Sequence, residues 1–376
     1  MTVLIAPDKF KGSLTAPQVC TAITEGLLAL NASLRIVSIP MADGGEGTSD
    51  VLTQFSSGSK VKVRVLDPLF REIDSEYGIS QDGKTAFIEM ASASGLGLLT
   101  TEERNPLCTT SYGTGELIKD AIEHGAEHII LGIGGSATND AGIGMAAALG
   151  YTFLSEKKAV LVPTGQNLIH LHNIRTHGVH PALAKTEFTV LCDVDNPLSG
   201  ANGAAYIFGP QKGATQTAVK TLDEGLRHFQ KVAEAAFHVS LNFGGAGAAG
   251  GLGAGARVFL NAEMEKGFDF ISRFTKLDNL IRQSDLVITG EGKIDIQTFS
   301  GKVVSGVASL AARHQKPCIA FAGQCELSPD QISELHLVEI ISLAGSATLG
   351  QDSMEHAFTF LKDSTKRHLG SRIPSV

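Results

Sequence analysis

Short apolar runs alternate with amphipathic helical segments along most of this chain, and the joints between them are loops of glycine, small polar residues and acids. The opening shows the pattern. Val3–Ala6 is a compact apolar strand, PDKFKGS is a loop, and Thr15-Ala-Pro-Gln18 reads as a capping box with proline in the first helical turn. Val19, Ile23, Leu27 and Leu30 then mark one helical face. A second strand, Leu34–Ile39, leads into MADGGEGTSDVL. Later units repeat the scheme: helix Leu117–Glu123, stop at Gly125, strand His128–Ile133, loop GGSATND and helix Ala141–Leu149. Asp285–Thr289, Cys318–Ala322 and Val338–Leu343 read as buried strands, each followed by a small-residue loop. Strands alternating with helices predict an α/β protein with a parallel sheet covered by helices.

Between about 60 and 275 the spacing loosens. Val61–Val65 and Thr85–Met90 are isolated strands, and 196–215 and 242–256 read as long glycine-rich loops. The expected organisation is therefore two different α/β domains. A doubly wound parallel-sheet domain, residues 1–60 plus 280–376, is interrupted by an inserted second domain, 61–279. A length of 376 residues suits two domains, at roughly 100–200 residues each.

Composition excludes several functions. With 43% apolar and 19% charged residues the chain can bury a full core, so disorder is excluded as its main state. Its net charge of −8 gives no footprint for nucleic acid or an anionic membrane. The five cysteines are an odd number without a CxxC pair, which argues against a disulfide framework or zinc site and for a reducing compartment. No apolar run approaches the length that spans a bilayer, and MTVLIAPDKF is not a signal peptide, so a cytoplasmic protein is expected.

The acids fall where chemistry is expected. Four apolar strands run into acidic loops, at Asp8, at Asp43 with Glu46, at Asp193, and at Glu291 with Asp295. Ligands of open α/β sheets bind beyond the carboxyl ends of the strands, so these carboxylates could share one crevice. Hard oxygen ligands of this kind suit Mg²⁺ on nucleotide phosphates, and one carboxylate could take a proton from an attacking hydroxyl. Each acid could equally cap the next helix or turn.

Glycine is the second signal, at 42 residues. In GIGGSATND, Gly134 and Gly135 offer backbone amides between a strand and a helix, with Ser136, Thr138, Asn139 and Asp140 alongside. Gly44 and Gly45 of GGEG have the same placement, and Gly290 and Gly292 of GEGK add a lysine. GGAGAAGGLGAGA at 244–256 reads either as backbone approaching a ligand or as a close-packed hinge. Lys9, Lys11, Lys212, Lys293 and Lys302 lie near these loops, and proximity to an acidic strand end favours Lys11 and Lys293. Cys192 reads as core, and His170, His172, His177 and His180 as a surface loop.

Two nucleotide motifs discriminate. There is no G-x-x-x-x-G-K-[ST], since Ile296 stands where its first glycine belongs and Val303 follows Lys302. Gly132-x-Gly134-x-x-Ala137, with Glu156 further on, does match a dinucleotide fingerprint and supports an alternative, an NAD-dependent hydroxy-acid oxidoreductase. That alternative leaves the other acidic strand ends unexplained.

Taken in order, IAPDKFKGSLTA, MADGGEGT, KTAFIEMASASGL, TTSYGTGELI, GIGGSATNDAGIGMAAALG, CDVDNPLSGANGAAYIFGPQKGA, GAGAAGGLGAG and VITGEGKIDIQTFSGK closely resemble the type-1 glycerate kinases of bacteria. The resemblance covers nearly the whole chain and is thinnest over 155–188 and the last 50 residues. It implies ATP-dependent, Mg²⁺-dependent phosphorylation of D-glycerate at the 2-hydroxyl, in the cleft between two α/β domains, one inserted in the other. On that basis Asp193 is the expected base or orienter, with Asp8 its competitor, and Lys11 and Lys293 supply charge. Asp43, Glu46, Glu291 and Asp295 are the expected Mg²⁺ candidates, and Asn196 joins the glycine loops in binding substrate or nucleotide. Three positions depart from the family pattern: Lys9 where serine is usual, Tyr112 where many members have arginine, and Phe70 where glycine is common.

Overall fold

The computed structural model describes residues 1–300, 302–343 and 356–374. Gly301 of the last family-like block and the loop expected after Leu343 lie outside the described residues. The chain is a mixed α/β protein, as the alternation predicts. Strands β1 (Thr2–Ile5) and β2 (Arg35–Ser38) come first. They are followed by β3 (Ser59–Leu66), β4 (Glu72–Ile79), β5 (Thr85–Glu89), β6 (His128–Gly132), β7 (Thr152–Leu154), β8 (Asn173–Arg175), β9 (Glu187–Leu191) and β10 (Glu263–Glu265). Last come β11 (Leu286–Ile294), β12 (Cys318–Cys325) and β13 (Glu339–Ser342).

The chain divides into two compact units, Met1–Asp43 with Phe268–Val376, and Gly44–Gly267. The dividing points fall at 43/44 and 267/268, not at 60/61 and 279/280 as read from the sequence. The helix Thr48–Phe55 accounts for the first difference, because it is tied to strands of the second unit. Ser49 Oγ donates to the Phe87 carbonyl at 2.7 Å and the Ser49 amide donates to Glu89 Oε1 at 2.8 Å. Phe268 accounts for the second, since its ring lies against Gly306 of the first unit, 2.3 Å from where a Cβ would stand.

In the first unit five parallel strands lie in the order β13-β12-β11-β1-β2. Counted within the unit this is 2-1-3-4-5, a doubly wound order whose direction reverses between β1 and β11. The helix Ala16–Leu30 carries the expected capping box, Gln18 N to Thr15 Oγ1 and Thr15 N to Gln18 Oε1, and buries Val19, Ile23 and Leu27. Gly26 lets the helix Ala357–Leu369 approach, because a Cβ there would lie 2.7 Å from Thr365.

The second unit holds a mixed six-stranded sheet, β10-β9-β6-β5-β4-β3, and a small pair, β7-β8. Strands β10, β9, β6 and β5 are parallel, so Glu265, Leu191, Gly132 and Glu89 end at one edge. Residues 244–256, read as a loop, fold largely into the helix Ala248–Leu260, kinked where Ala249, Gly250 and Gly251 have positive φ. Glycine's poor helix propensity is overridden by burial here. A Cβ at Gly255 would lie 2.3 Å from the Ala141 carbonyl, and one at Gly250 2.0 Å from the Thr138 carbonyl. Close packing is thus what these glycines serve.

Phe70 occupies a left-handed conformation, φ +62°, in the Asp67–Arg71 turn between β3 and β4. A side chain there costs about 1–2 kcal/mol, offset in part by the roughly 0.5–1 kcal/mol of extra entropy glycine loses on folding. Phe70→Gly is expected to stabilise the protein by about 0.5–1 kcal/mol, read as a higher urea midpoint. A lower midpoint would mean that the ring, 38% exposed, packs better than this reckoning allows.

Candidate active site

The first unit gathers carboxylates where its strand order reverses. Beyond β1 the chain stays beside β11, with Ala6 N donating to Ile288 O at 2.7 Å and Asp8 N to Gly290 O at 2.8 Å. Met41 N donates to Pro7 O at 2.9 Å, which brings the exit of β2, and so Asp43, to the same end. Asp8 and Asp43 therefore stand beyond the ends of β1 and β2, and Glu291 lies within the adjacent strand β11, at the same end of the sheet. Asp8 is buried, and burial pushes its carboxyl from 3.8 up to about 7, with the negative charge of Asp43 adding to the effect. The Lys9 side chain and amide oppose that rise, the amide donating to Asp8 Oδ1 at 2.7 Å. Burial likewise raises Glu291 to about 7, against a hydrogen bond from Thr298 Oγ1 at 2.7 Å and the charge of Lys302.

Other predicted residues of this unit have different settings. Glu291 does not begin a loop: β11 continues through GEGKI, pairing Glu291 with Ala322 and Lys293 with Gln324. Gly290 and Gly292 are strand glycines that admit neighbours, a Cβ at the first falling 2.5 Å from Phe321 O and at the second 2.9 Å from Lys11 N. Gly292 thus lets the PDKFKG loop lie directly on β11. Lys293 is exposed and ion-paired to Glu326 at 2.8 Å and Asp295 at 3.5 Å. Lys11 is exposed and Asp295 half-buried.

In the second unit the two glycine loops expected as separate cradles pack on each other. A Cβ at Gly132 would lie 2.7 Å from Gly44 O, and one at Gly134 would lie 2.9 Å from Gly45 Cα. The GGEG turn, with Gly44 at φ +84°, crosses the ends of β6 and β9, and Glu46 is exposed on it. Asp193 follows β9, and its Oδ1 accepts from the Gly267 amide at 2.9 Å. Asn196 turns its amide to Asn202 O at 2.9 Å, closing its own loop. Cys192 is no nucleophile, since burial pushes its thiol up to about 11.

The GGSATND loop is pinned on several sides. Leu96 N donates to Gly135 O at 2.8 Å, Ala137 N to Ser94 O at 2.9 Å, and Thr109 Oγ1 to Ala137 O at 2.9 Å. Gly135 stays exposed, Gly134 half-exposed, and Ser136, Thr138, Asn139 and Asp140 are buried. Asp140 accepts from Ser111 N and Oγ, both at 2.8 Å, from Gly142 N at 3.1 Å and from Gly144 N at 3.2 Å. The following helix, Ile143–Ala148, has six residues and its first amides are taken by Asp140, so its N-terminus does not face a ligand. The dinucleotide-type fingerprint is explained away by the same geometry. Gly132 and Gly134 make room for GGEG, Ala137 is tied to Ser94, and Glu156 lies exposed on a turn.

Lys212 is the site residue that sequence reasoning passed over. It is buried, and its Nζ donates to Ser136 Oγ and to Thr138 O, each at 2.7 Å. The only local signal was its place in GPQKGA, within a block shared with the resembled family.

Among the described residues no three His, Cys, Asp or Glu side chains assemble into a ready-made metal cage. The donor set fits Mg²⁺ nonetheless. That ion takes one or two carboxylates and completes its shell with water and substrate phosphates. Asp43 and Glu291 beside Asp8 offer hard oxygens of this kind. No helix among the described residues is long and apolar enough to cross a membrane.

The sequence profile of the Glycerate kinase family matches residues 3–371. The chain is 47% identical over 324 residues to the Glycerate 2-kinase of Escherichia coli K12, covering 86% of this chain and 85% of that one. It is 43% identical over 368 residues to a Glycerate kinase of Halalkalibacterium halodurans, covering 97% and 96%. A crystal structure described as a glycerate kinase 2 of Salmonella typhimurium LT2 superposes with a TM-score of 0.87 at 39% identity, covering 99% and 98% of the two chains.

Proposed function

The chain belongs to the glycerate kinase family and is an enzyme that phosphorylates glycerate with ATP as co-substrate, and from that premise we propose that it acts on the 2-hydroxyl of D-glycerate to give 2-phosphoglycerate and ADP. The name of the Escherichia coli relative supports the 2-position. The observation that carries the chemistry is the trio Asp8, Asp43 and Glu291 at the reversal of the first sheet.

In this reading the glycerate 2-oxygen attacks the γ-phosphorus and the bond to the β-bridging oxygen breaks. ADP leaves, and the hydroxyl proton passes to a carboxylate. Asp8 is favoured as the acceptor because burial holds its pKa near 7, where a general base works best at neutral pH. Asp193, oriented by the Gly267 amide, positions the substrate hydroxyl. Asp43 and Glu291, with Glu46 and Asp295, would hold Mg²⁺. When bound, the ion neutralises charge on the phosphates. Lys11 and Lys293 add positive charge, and Lys302, which already acts on Glu291, joins them. Gly44, Gly45, Gly134, Gly135 and Ser136 present amides and a hydroxyl to an oxyanion, and Asn196, which closes its own loop, is a further candidate for binding substrate. Asp140 acts by shaping that loop. Phosphoryl transfer asks mainly for this kind of positioning, because little covalent work falls to the protein.

The test is nucleotide turnover. ADP should form only when ATP, Mg²⁺ and D-glycerate are all present, and a chelator should stop it. Turnover of NAD⁺ with D-glycerate and no requirement for ATP would overturn the reading.

A further inference from the structure

A lysine buried to 2% exposure is costly, and an apolar or amide side chain would fill the same space at less expense. Lys212 ends the short turn Pro210–Lys212, which Gly213 anchors at φ +89° against the Arg104 carbonyl. From there its ammonium reaches residues 76 and 74 positions away, Ser136 Oγ and Thr138 O. Burial lowers its pKa to about 7, and the charge of Asp140 opposes that fall. In the same loop the buried Thr138 Oγ1, Asn139 Oδ1 and Asn139 Nδ2 find no hydrogen-bond partner among the described residues. Buried polar atoms are nearly always paired, so three orphans in two consecutive residues mark a loop whose bonding the described residues do not complete.

We propose that Lys212 is a positioning residue for residues 134–139. It ties Ser136 and Thr138 from the buried side and sets a positive charge beneath the loop, so that the accessible Gly134–Gly135 face receives an oxyanion. The oxyanion is either the phosphate chain of the nucleotide or the carboxylate of glycerate, and its identity rests on the kinase reading above. A purely mechanical strut would not need the charge. The Ser136 and Thr138 oxygens could be met by an amide.

The test compares wild type with Lys212→Met, which removes tether and charge, and Lys212→Gln, which keeps a donor but no charge. Melting curves, kcat, both KM values, and calorimetric binding of ADP and of D-glycerate are measured for each. Loss of a charged hydrogen-bonding group predicts that Lys212→Met weakens binding and raises KM for one of the two substrates by about 10- to 100-fold, with kcat changed far less. The substrate affected names the oxyanion. Lys212→Gln should show the same defect in smaller measure. If the Met variant does not fold, the Gln variant carries the test. Unchanged KM and binding in a folded variant would overturn the proposal, as would a fall in kcat alone, or failure of both variants to fold, which would make the role structural. Wild type that binds ADP and D-glycerate leaves the kinase reading intact whatever Lys212 does. Wild type that binds neither sinks that reading and this one with it.

Discussion

Asp8→Asn is expected to lower kcat by about 100- to 10,000-fold, the usual contribution of a general base, with KM for ATP changed little. The amide matches the carboxylate in shape and can still accept the Lys9 amide at Oδ1, so the loop conformation should survive. What is lost is the ability to take the hydroxyl proton. A kcat within a few-fold of wild type would remove Asp8 from the mechanism and leave Asp193 as the base, to be tested by Asp193→Asn in the same assay.

The same substitution should raise stability, in a pH-dependent way. The folded-state pKa of Asp8 lies above its ordinary value of 3.8, near 7, because burial disfavours the charged form. Folding is therefore helped below about pH 4, where both states are protonated, and that help is lost as pH rises through about 7. In metal-free buffer Asp8→Asn should melt higher than wild type at pH 8, and the gap should narrow toward pH 4. A gap that widens in acid would mean that the carboxylate is stabilised, not strained, by its surroundings. Activity bought with strain of this sort is common at catalytic sites.

Asp140→Ala is expected to cost about 3–5 kcal/mol, the range for removing one member of a buried charged network. The carboxylate is fully buried and satisfies four donors, three backbone amides and the Ser111 hydroxyl. Alanine would strand all of them and deprive Lys212 of its negative neighbour. Urea unfolding followed by circular dichroism reads the loss as a lower midpoint. A loss under about 1 kcal/mol would show that water replaces the carboxylate and that the loop does not depend on it.

Local signals were legible in the sequence and long-range ones were not. Strand β1, the capping box at Thr15 and Gln18, and the acids Asp8 and Asp43 could be read because each depends on a few neighbouring residues. The reversal of strand order that brings Asp8 beside Glu291 depends on β1 pairing with a strand more than half the chain away, as Val3 with Leu286. GEGKI looked like a loop because glycine seldom belongs inside a strand, yet Gly290 and Gly292 are there to admit Phe321 and Lys11. Residues 242–256 looked like a loop for the parallel reason in a helix, yet most of them lie in the helix Ala248–Leu260. Lys212 was one lysine among several, because its hydrogen-bond partners lie far away in the sequence. The resemblance supplied what no pattern could, the identity of the substrate.

The product identifies the reaction most directly. With ATP, Mg²⁺ and D-glycerate, the phosphorus spectrum of the reaction mixture should gain a phosphomonoester split into a doublet by the single proton on carbon 2, alongside the resonances of ADP. A triplet, from the two protons on carbon 3, would make the enzyme a 3-kinase and require the 3-hydroxyl, not the 2-hydroxyl, to be presented to the base. A spectrum showing ATP alone would contradict the proposed reaction itself.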